Sequence, residues 1–163
     1  MGVVAWSQNL TEEAASAKGV RHVSKEELFA TSDVISLHLV LSDRTRSLVG
    51  AAELAAMKDG ATLVNTSRGP IVDGTALLAE LRRGRIVAGL DVYDQEPLAA
   101  DSPLRKLQNV VLTPHLGYAV KPVFEQIYAE SVENIDGFLN GRPIRVVNPE
   151  ALSPTSPGPA TVA

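Results

Sequence analysis

The 163-residue sequence contains no cysteine, which excludes a disulfide framework and a zinc site built from thiolates. This composition is compatible with a reducing cytosol, so we expect a cytoplasmic protein and no metal site. Basic residues are not in excess either, and the formal net charge is −4. The composition therefore does not indicate a nucleic-acid-binding surface. Long apolar runs are also missing. The run at residues 34–41 is less than half as long as a membrane span requires, so we expect no membrane partner.

Short β-rich runs alternate with helical stretches along most of the chain. This order predicts an α/β fold, in which a parallel sheet carries helices on its faces. The predicted strands are 3–6, 20–23, 34–39, 61–65, 86–90 and 110–112, and the predicted helices are 11–18, 25–30, 51–57, 74–83 and 122–139. The nearly continuous apolar run at 34–39 predicts a strand that is covered on both faces. Residues 1–149 would form the domain, and the Pro- and Ser-rich residues 150–163 predict a disordered tail.

Polar side chains follow several predicted strands, at the sheet edge where ligands of open α/β folds bind. They are Ser7 and Gln8, His38, Thr66 with Arg68, Asp91 with Glu96, and His115. A guanidinium suits a carboxylate, and an imidazole can transfer a proton near neutral pH. A carboxylate such as Glu96 on the other ring nitrogen would favour the protonated imidazole. Together these residue types suit a site for a 2-oxo acid.

Each of these residues also has a structural explanation. A histidine after a strand is commonly a hydrogen-bonded structural residue, Arg68 can pair with a surface carboxylate, and a loop glutamate before proline is usually solvated. His22 fits a surface residue, and His38 fits either packing or a pocket wall. The residue patterns alone therefore indicate an α/β domain with a candidate carboxylate-binding cleft.

Four segments resemble the nucleotide-binding domain of the D-isomer-specific 2-hydroxyacid dehydrogenases, both in order and in spacing. They are SLHL at 36–39, LVNTSRGPIVD at 63–73, GLDVYDQEPL at 89–98 and NVVLTPHLG at 109–117. The resemblance covers nearly all of residues 1–148. It implies a doubly wound, Rossmann-like sheet and an enzyme that interconverts a small 2-oxo acid and a D-2-hydroxy acid with NAD or NADP as cofactor.

The resemblance also implies roles for individual residues. Arg68 would bind the carboxylate and carbonyl of the substrate, His115 would be the acid/base, and Glu96 would hold His115 and favour its protonated form. The implied cofactor-binding residues are Ser7, His38, Leu39, Thr66, Asp91 and Gly117. Among these, Asp91 would hydrogen-bond the nicotinamide carboxamide. Formate dehydrogenases are relatives with Gln in place of Glu96, so the glutamate favours a hydroxy-acid substrate.

The sequence departs from the family pattern in three places. Ser7, followed by Gln8 and Asn9, stands where an NAD enzyme has an acidic residue for the adenosine ribose. NADP is therefore allowed, although no arginine stands there to attract its 2′-phosphate. Val40 stands where proline is common, and no Gly-x-Gly-x-x-Gly turn occurs anywhere.

The missing glycine-rich turn predicts a partial sheet that starts at the second strand of the domain, without the first strand or a substrate domain. Because the first strand would lie at the sheet centre, we expect the chain alone to be poorly stable or self-associating and to bind cofactor weakly. A homodimer is compatible with the resemblance. Two other interpretations stay open: a non-catalytic dinucleotide sensor, like the transcriptional co-repressors with this fold, and an inactive product of a truncated gene.

Overall fold

Strands and helices alternate along the chain in the computed structural model, which describes residues 1–152. The strands are Val4–Ala5 (β1), Arg21–His22 (β2), Val34–Leu37 (β3), Thr62–Asn65 (β4), Val87–Leu90 (β5) and Val110–Leu112 (β6). The α-helices are Glu12–Ser16 (α1), Lys25–Thr31 (α2), Ala51–Ala56 (α3), Gly74–Arg82 (α4) and Lys121–Leu139 (α5). Every predicted strand and helix is confirmed, with ends that shift by one or two residues.

Side-chain caps explain where α1, α2 and α4 begin. The Asp73 carboxylate accepts from the amides of Thr75 and Ala76, which starts α4 directly after the segment that contains Arg68. The Ser24 hydroxyl accepts from the amide of Glu27 at 3.0 Å and starts α2. The reciprocal half of a capping box, a hydrogen bond from the Ser24 amide to the Glu27 side chain, is absent within residues 1–152. Instead, the Glu27 carboxylate pairs with Arg21 at 2.7 Å.

Strands β3 to β6 form one parallel sheet in the order β3-β4-β5-β6. Its register aligns two rows of side chains across the first three strands: Ile35, Leu63 and Ala88 in one row, and Leu37, Asn65 and Leu90 in the next. All six side chains are buried, and the apolar ones share a core with residues of α2, α3 and α4. These helices therefore cover one face of the sheet.

The opposite face of this sheet is not covered in the same way within residues 1–117. Val34 is 60% exposed and Val87 is 39% exposed, whereas their neighbours Ile35 and Ala88 are buried. The prediction that the 34–39 segment is covered on both faces is therefore wrong. The reason is that successive strand side chains point to opposite faces, and α2, α3 and α4 pack on only one of them.

Strands β1 and β2 form a separate two-stranded parallel sheet, with Val4 opposite Arg21 and Ala5 opposite His22. Within residues 1–152, no strand hydrogen-bonds this pair to the four-stranded sheet. The predicted α/β fold with a partial, Rossmann-like parallel sheet is confirmed.

The chain divides into two compact units, residues 1–117 and residues 118 onward. The second unit contains α5, which has Pro122 in its first turn and ends at Leu139; Asn140 is its C-cap, and Gly141 follows with φ +65°. Residues 149–152 form a 3-10 turn, and residues 153–163 of the predicted tail lie outside the described residues. In the part of the chain that the structure describes, no helix is both long and apolar enough to cross a membrane.

Candidate active site

Three polar segments meet at the carboxyl ends of β4, β5 and β6. Arg68 stands three residues after β4, Asp91 directly follows β5, and His115 stands three residues after β6. Because these strands are parallel and adjacent, the segments that follow them lie along one edge of the sheet. The sheet topology thus brings together residues that are far apart in the sequence.

His115 and Glu96 form a direct pair. The Nδ1 atom of His115 lies 2.7 Å from Oε2 of Glu96, and both side chains are partly exposed. The other carboxylate oxygen of Glu96 accepts from the Tyr93 amide at 3.0 Å. The hydrogen bond to His115 and the one from Tyr93 lower the pKa of Glu96, so it is a carboxylate at neutral pH. With Nδ1 bonded to Glu96, proton exchange with a ligand would use Nε2 of His115.

Asp91 organises the loop that carries His115. Its buried carboxylate accepts from the amides of Leu116 and Gly117, each at 2.8 Å, and from the Thr113 hydroxyl. Burial alone would raise the pKa of Asp91, but these hydrogen bonds outweigh burial and the pKa is lowered. The His115 amide also donates to the Asp91 carbonyl at 2.8 Å. The loop is therefore wrapped around one ionised side chain.

This loop places His115 in a left-handed backbone conformation, with φ +58°. A non-glycine residue in this region costs of order 1–2 kcal/mol, which the surrounding contacts must offset. The hydrogen bonds to Asp91 and Glu96 are contacts of that kind. His115 is thus held in a specific orientation.

The turn that carries Arg68 is held by Asn65, the last residue of β4. The Asn65 side chain is 1% exposed; its amide donates to the Arg68 carbonyl and its oxygen accepts from the Ser67 amide, both at 3.0 Å. The Ser67 hydroxyl donates to the Leu37 carbonyl of β3 at 2.7 Å. Sequence reasoning missed Asn65. The available signal was a short polar side chain at the end of an apolar strand, where it can bond the turn that follows.

Gly69 brings the Arg68 turn against the segment that leads to Glu96. A Cβ atom on Gly69 would lie 2.0 Å from the Tyr93 carbonyl carbon and 2.5 Å from the Asp94 amide nitrogen, so only glycine fits there. The positive charge of Arg68 also contributes to the lowered pKa of Glu96. The three predicted catalytic residues are therefore grouped at one sheet edge.

A cavity of about 480 Å³ opens beside the His115–Glu96 pair, which is in the size range of small-molecule sites. Its lining residues are Tyr93, Glu96, Pro97, Leu98, Arg105, Leu112, Thr113, Pro114 and His115. The lining surface is mainly apolar, and its ionisable side chains are the paired His115 and Glu96 together with Tyr93 and Arg105. Arg68 is not part of the lining.

The six predicted cofactor residues fall into three places. Thr66, Asp91 and Gly117 are close together, because a Cβ on Gly117 would lie 3.1 Å from the Asp91 carboxylate and 3.9 Å from Thr66 Cβ. Ser7 and Leu39 line a second cavity of about 290 Å³. The sixth, His38, lines neither cavity, and its Nε2 lies 2.8 Å from the Ser36 hydroxyl.

Comparisons with known proteins identify the family of the chain. A family model for the NAD-binding domain of D-isomer-specific 2-hydroxyacid dehydrogenases matches residues 1–117. The glyoxylate reductase of Aeropyrum pernix is 40% identical over 160 residues, which is 97% of this chain and 48% of that protein. The glyoxylate/hydroxypyruvate reductase B of Yersinia pestis is 41% identical over 154 residues, which is 93% of this chain and 47% of that protein.

A solved structure gives the same result. The crystal structure of an oxidoreductase from Ralstonia solanacearum superposes with a TM-score of 0.85 at 38% identity, covering 94% of this chain and 46% of that one. The chain therefore spans about half the length of the relatives that it matches.

Proposed function

The chain belongs to the D-isomer-specific 2-hydroxyacid dehydrogenase family, and from this membership we propose that it serves the NAD(P)-linked reduction of a small 2-oxo acid to its D-2-hydroxy acid. The observation that carries the proposal is the pairing of His115 Nδ1 with Glu96 at 2.7 Å, beside a cavity of small-molecule size. A paired imidazole of this kind can supply a proton to a developing alkoxide.

Three residues divide the work in this proposal. His115 donates the proton from Nε2 to the carbonyl oxygen of the substrate, and the Glu96 carboxylate orients the ring and balances its positive charge. The Arg68 guanidinium binds the substrate carboxylate, for which its planar fork is suited. A bound nicotinamide supplies the hydride. Glu96 favours this chemistry because its lowered pKa keeps it ionised beside the imidazole.

The residues along the sheet edge fit a dinucleotide. Thr66, Asp91 and Gly117 would hold the nicotinamide end, and Asp91 Oδ2, which accepts one hydrogen bond from Gly117, has capacity to accept another from a carboxamide. Ser7 and Leu39 would hold the adenosine end, in a cavity whose lining combines hydroxyl and amide groups with apolar side chains. That donor set suits a ribose and a base.

The names of the relatives suggest glyoxylate and hydroxypyruvate as test substrates. The purified 163-residue chain is mixed with each 2-oxo acid and with NADH or NADPH, and oxidation of the nicotinamide is followed by its absorbance. We expect slow turnover, because the chain alone is predicted to bind its cofactor weakly, and we expect His115→Gln to lower it by about 10²–10⁴-fold, which is the usual contribution of a general acid. The Lys121→Gln variant, which changes an exposed residue of the second unit, serves as the control.

Two results would contradict the proposal. Dinucleotide binding without turnover of any 2-oxo acid would favour the non-catalytic sensor. Turnover that His115→Gln leaves unchanged would refute the acid/base role of this residue. Nicotinamide fluorescence measures whether His115→Gln still binds the cofactor. A variant that binds the cofactor but does not turn over has lost the proton transfer and not the fold.

A further inference from the structure

The second cavity, of about 290 Å³, lies between the loop after β1 and the loop after β3. Its lining residues are Trp6, Ser7, Gln8, Asn9, Leu39, Val40, Ser42, Arg44, Thr45 and Leu48. Arg44 carries the only formal charge in this lining, and no carboxylate lines the cavity within residues 1–152. Asp43, which lies beside Arg44 in the loop after β3, and Glu12, which follows the loop after β1, are not part of the lining. The cavity is therefore electrostatically suited to an anion.

Arg44 is available to such an anion. Among the contacts of the described residues, its exposed guanidinium makes neither a hydrogen bond nor an ion pair. Other arginines of the same unit are engaged: Arg21 pairs with Glu27, and Arg85 pairs with Glu80. A guanidinium presents a planar fork of donors that matches phosphate oxygens.

The loop that carries Arg44 is ordered by its own hydrogen bonds. The Thr45 hydroxyl donates to the Val40 carbonyl and accepts from the Ser42 amide, both at 2.8 Å. The amides of Thr45 and Arg46 both donate to the Ser42 carbonyl at 3.0 Å. Arg44 therefore projects from a closed turn, so binding would mainly order its side chain.

The loop after β1 contributes polar side chains to the same cavity lining. The side chains of Ser7, Gln8 and Asn9 make no hydrogen bond with any part of the chain that the structure describes. A carboxylate in this loop would bind ribose hydroxyls and repel a phosphate, whereas a hydroxyl and two amides can donate to phosphate oxygens. The loop after β1 thus adds neutral donors to the cavity that Arg44 also lines.

We propose that Arg44 binds the 2′-phosphate of NADP(H) and makes this chain select NADP(H) over NAD(H). The inference rests on the proposed function, because it assigns the cofactor of that same reaction. Arg44, which would select the cofactor, lies in the loop after β3. In doubly wound folds the residue that contacts the adenosine ribose stands instead in the loop that here follows β1. The sequence by itself showed no arginine beside Ser7, and only the folded chain places Arg44 and Ser7 in the lining of one cavity.

Equilibrium binding to the purified 163-residue chain tests this assignment. NADPH and NADH are titrated by nicotinamide fluorescence, and 2′,5′-ADP and 5′-AMP are titrated by calorimetry. We expect the 2′-phosphorylated member of each pair to bind at least about tenfold more tightly, as is typical of hydrogen bonds to a charged group. Arg44→Gln should remove most of this ratio, and Arg44→Lys should keep part of it. The ratio should also shrink at high salt.

Arg46→Gln is the matched control, since Arg46 is an exposed arginine of the same turn that does not line the cavity. We expect this variant to keep the full preference. Equal loss of preference in both variants would show a general charge effect and overturn the assignment. Circular dichroism melts of each variant verify the fold.

The remaining outcomes separate the inference from the proposed function. Equal binding of NADH and NADPH, unchanged in Arg44→Gln, would overturn the inference alone. Binding of 2′,5′-ADP that depends on Arg44, without binding of either full dinucleotide, would support the phosphate site and refute the dehydrogenase role of this chain. Failure of all four ligands to bind would refute both.

Discussion

The imidazole of His115 contacts the carboxylate of Glu96 across 19 positions of sequence, at 2.7 Å. The contact joins the segment after β5 to the loop after β6. The Glu96 carboxylate also accepts a hydrogen bond from the Tyr93 amide. This second bond restricts the motion of the carboxylate that pairs with His115. This pair is the part of the candidate site for which the geometry and the expected chemistry agree most directly.

Replacing Glu96 with glutamine tests this pair. Glu96→Gln keeps the shape but removes the charge that balances a protonated imidazole, so we expect turnover to fall by about 10-fold to 100-fold with little change in KM, since proton transfer typically contributes 10²–10⁴-fold. Steady-state kinetics with glyoxylate measures both parameters. Glu26→Gln, at an exposed position in the first turn of α2, is the control. An unchanged kcat in Glu96→Gln would show that the pair serves only to hold the loop.

Asp91 should link stability to pH. Because the pKa of Asp91 is lowered in the folded chain, its contribution is complete above about pH 4, the usual range for an unfolded aspartate, and is lost as the pH falls further. The asparagine side chain of Asp91→Asn cannot ionise. Its NH₂ group would replace one carboxylate oxygen and could not accept a hydrogen bond from a loop amide. We expect it to lower the free energy of unfolding at pH 7 by about 1–3 kcal/mol.

Urea denaturation at pH 7 and at pH 3.5 measures this effect. The difference between the wild-type chain and Asp91→Asn should shrink at the lower pH, because protonation of Asp91 removes the advantage of the charge. Asp101→Asn, at an exposed position, is the matched control and should follow the wild-type curve. A constant difference between wild type and Asp91→Asn at both pH values would show that ionisation of Asp91 does not stabilise the loop.

Gly69 should tolerate no side chain. In Gly69→Ala the new methyl group would overlap the Tyr93 carbonyl, so the two segments must separate. We expect a loss of about 1–3 kcal/mol in the free energy of unfolding, as for other overpacked sites, together with lower turnover because Arg68 and Glu96 move apart. Gly89→Ala is the control, since a Cβ there would meet only Val64 at 3.9 Å. Equal stabilities of the two variants would show that the backbone contact at Gly69 is loose.

The strands and helices could be predicted from the sequence because their signals are local. Apolar periodicity, the caps at Ser24 and Asp73, and the glycine after α4 each act within a few residues, and the structure confirms these elements. The order of strands and helices also indicated the parallel sheet. That order in turn put Arg68, Asp91 and His115 at one edge, where the structure finds them.

The one-sided coverage of the sheet and the contacts within the site depend on which distant segments pack together. No local sequence pattern shows this packing. Coverage of β3 on one face only follows from where the helices pack, so the apolar run alone led to the wrong prediction. The contact of Gly69 with Tyr93, the wrapping of the His115 loop around Asp91, and the lining of one cavity by both Arg44 and Ser7 all join segments that are distant in sequence. The sequence by itself determined the elements and the chemical types at their ends, because those depend on neighbouring residues. Only the tertiary structure decided which of those groups meet, because that depends on sheet register and packing across the whole unit.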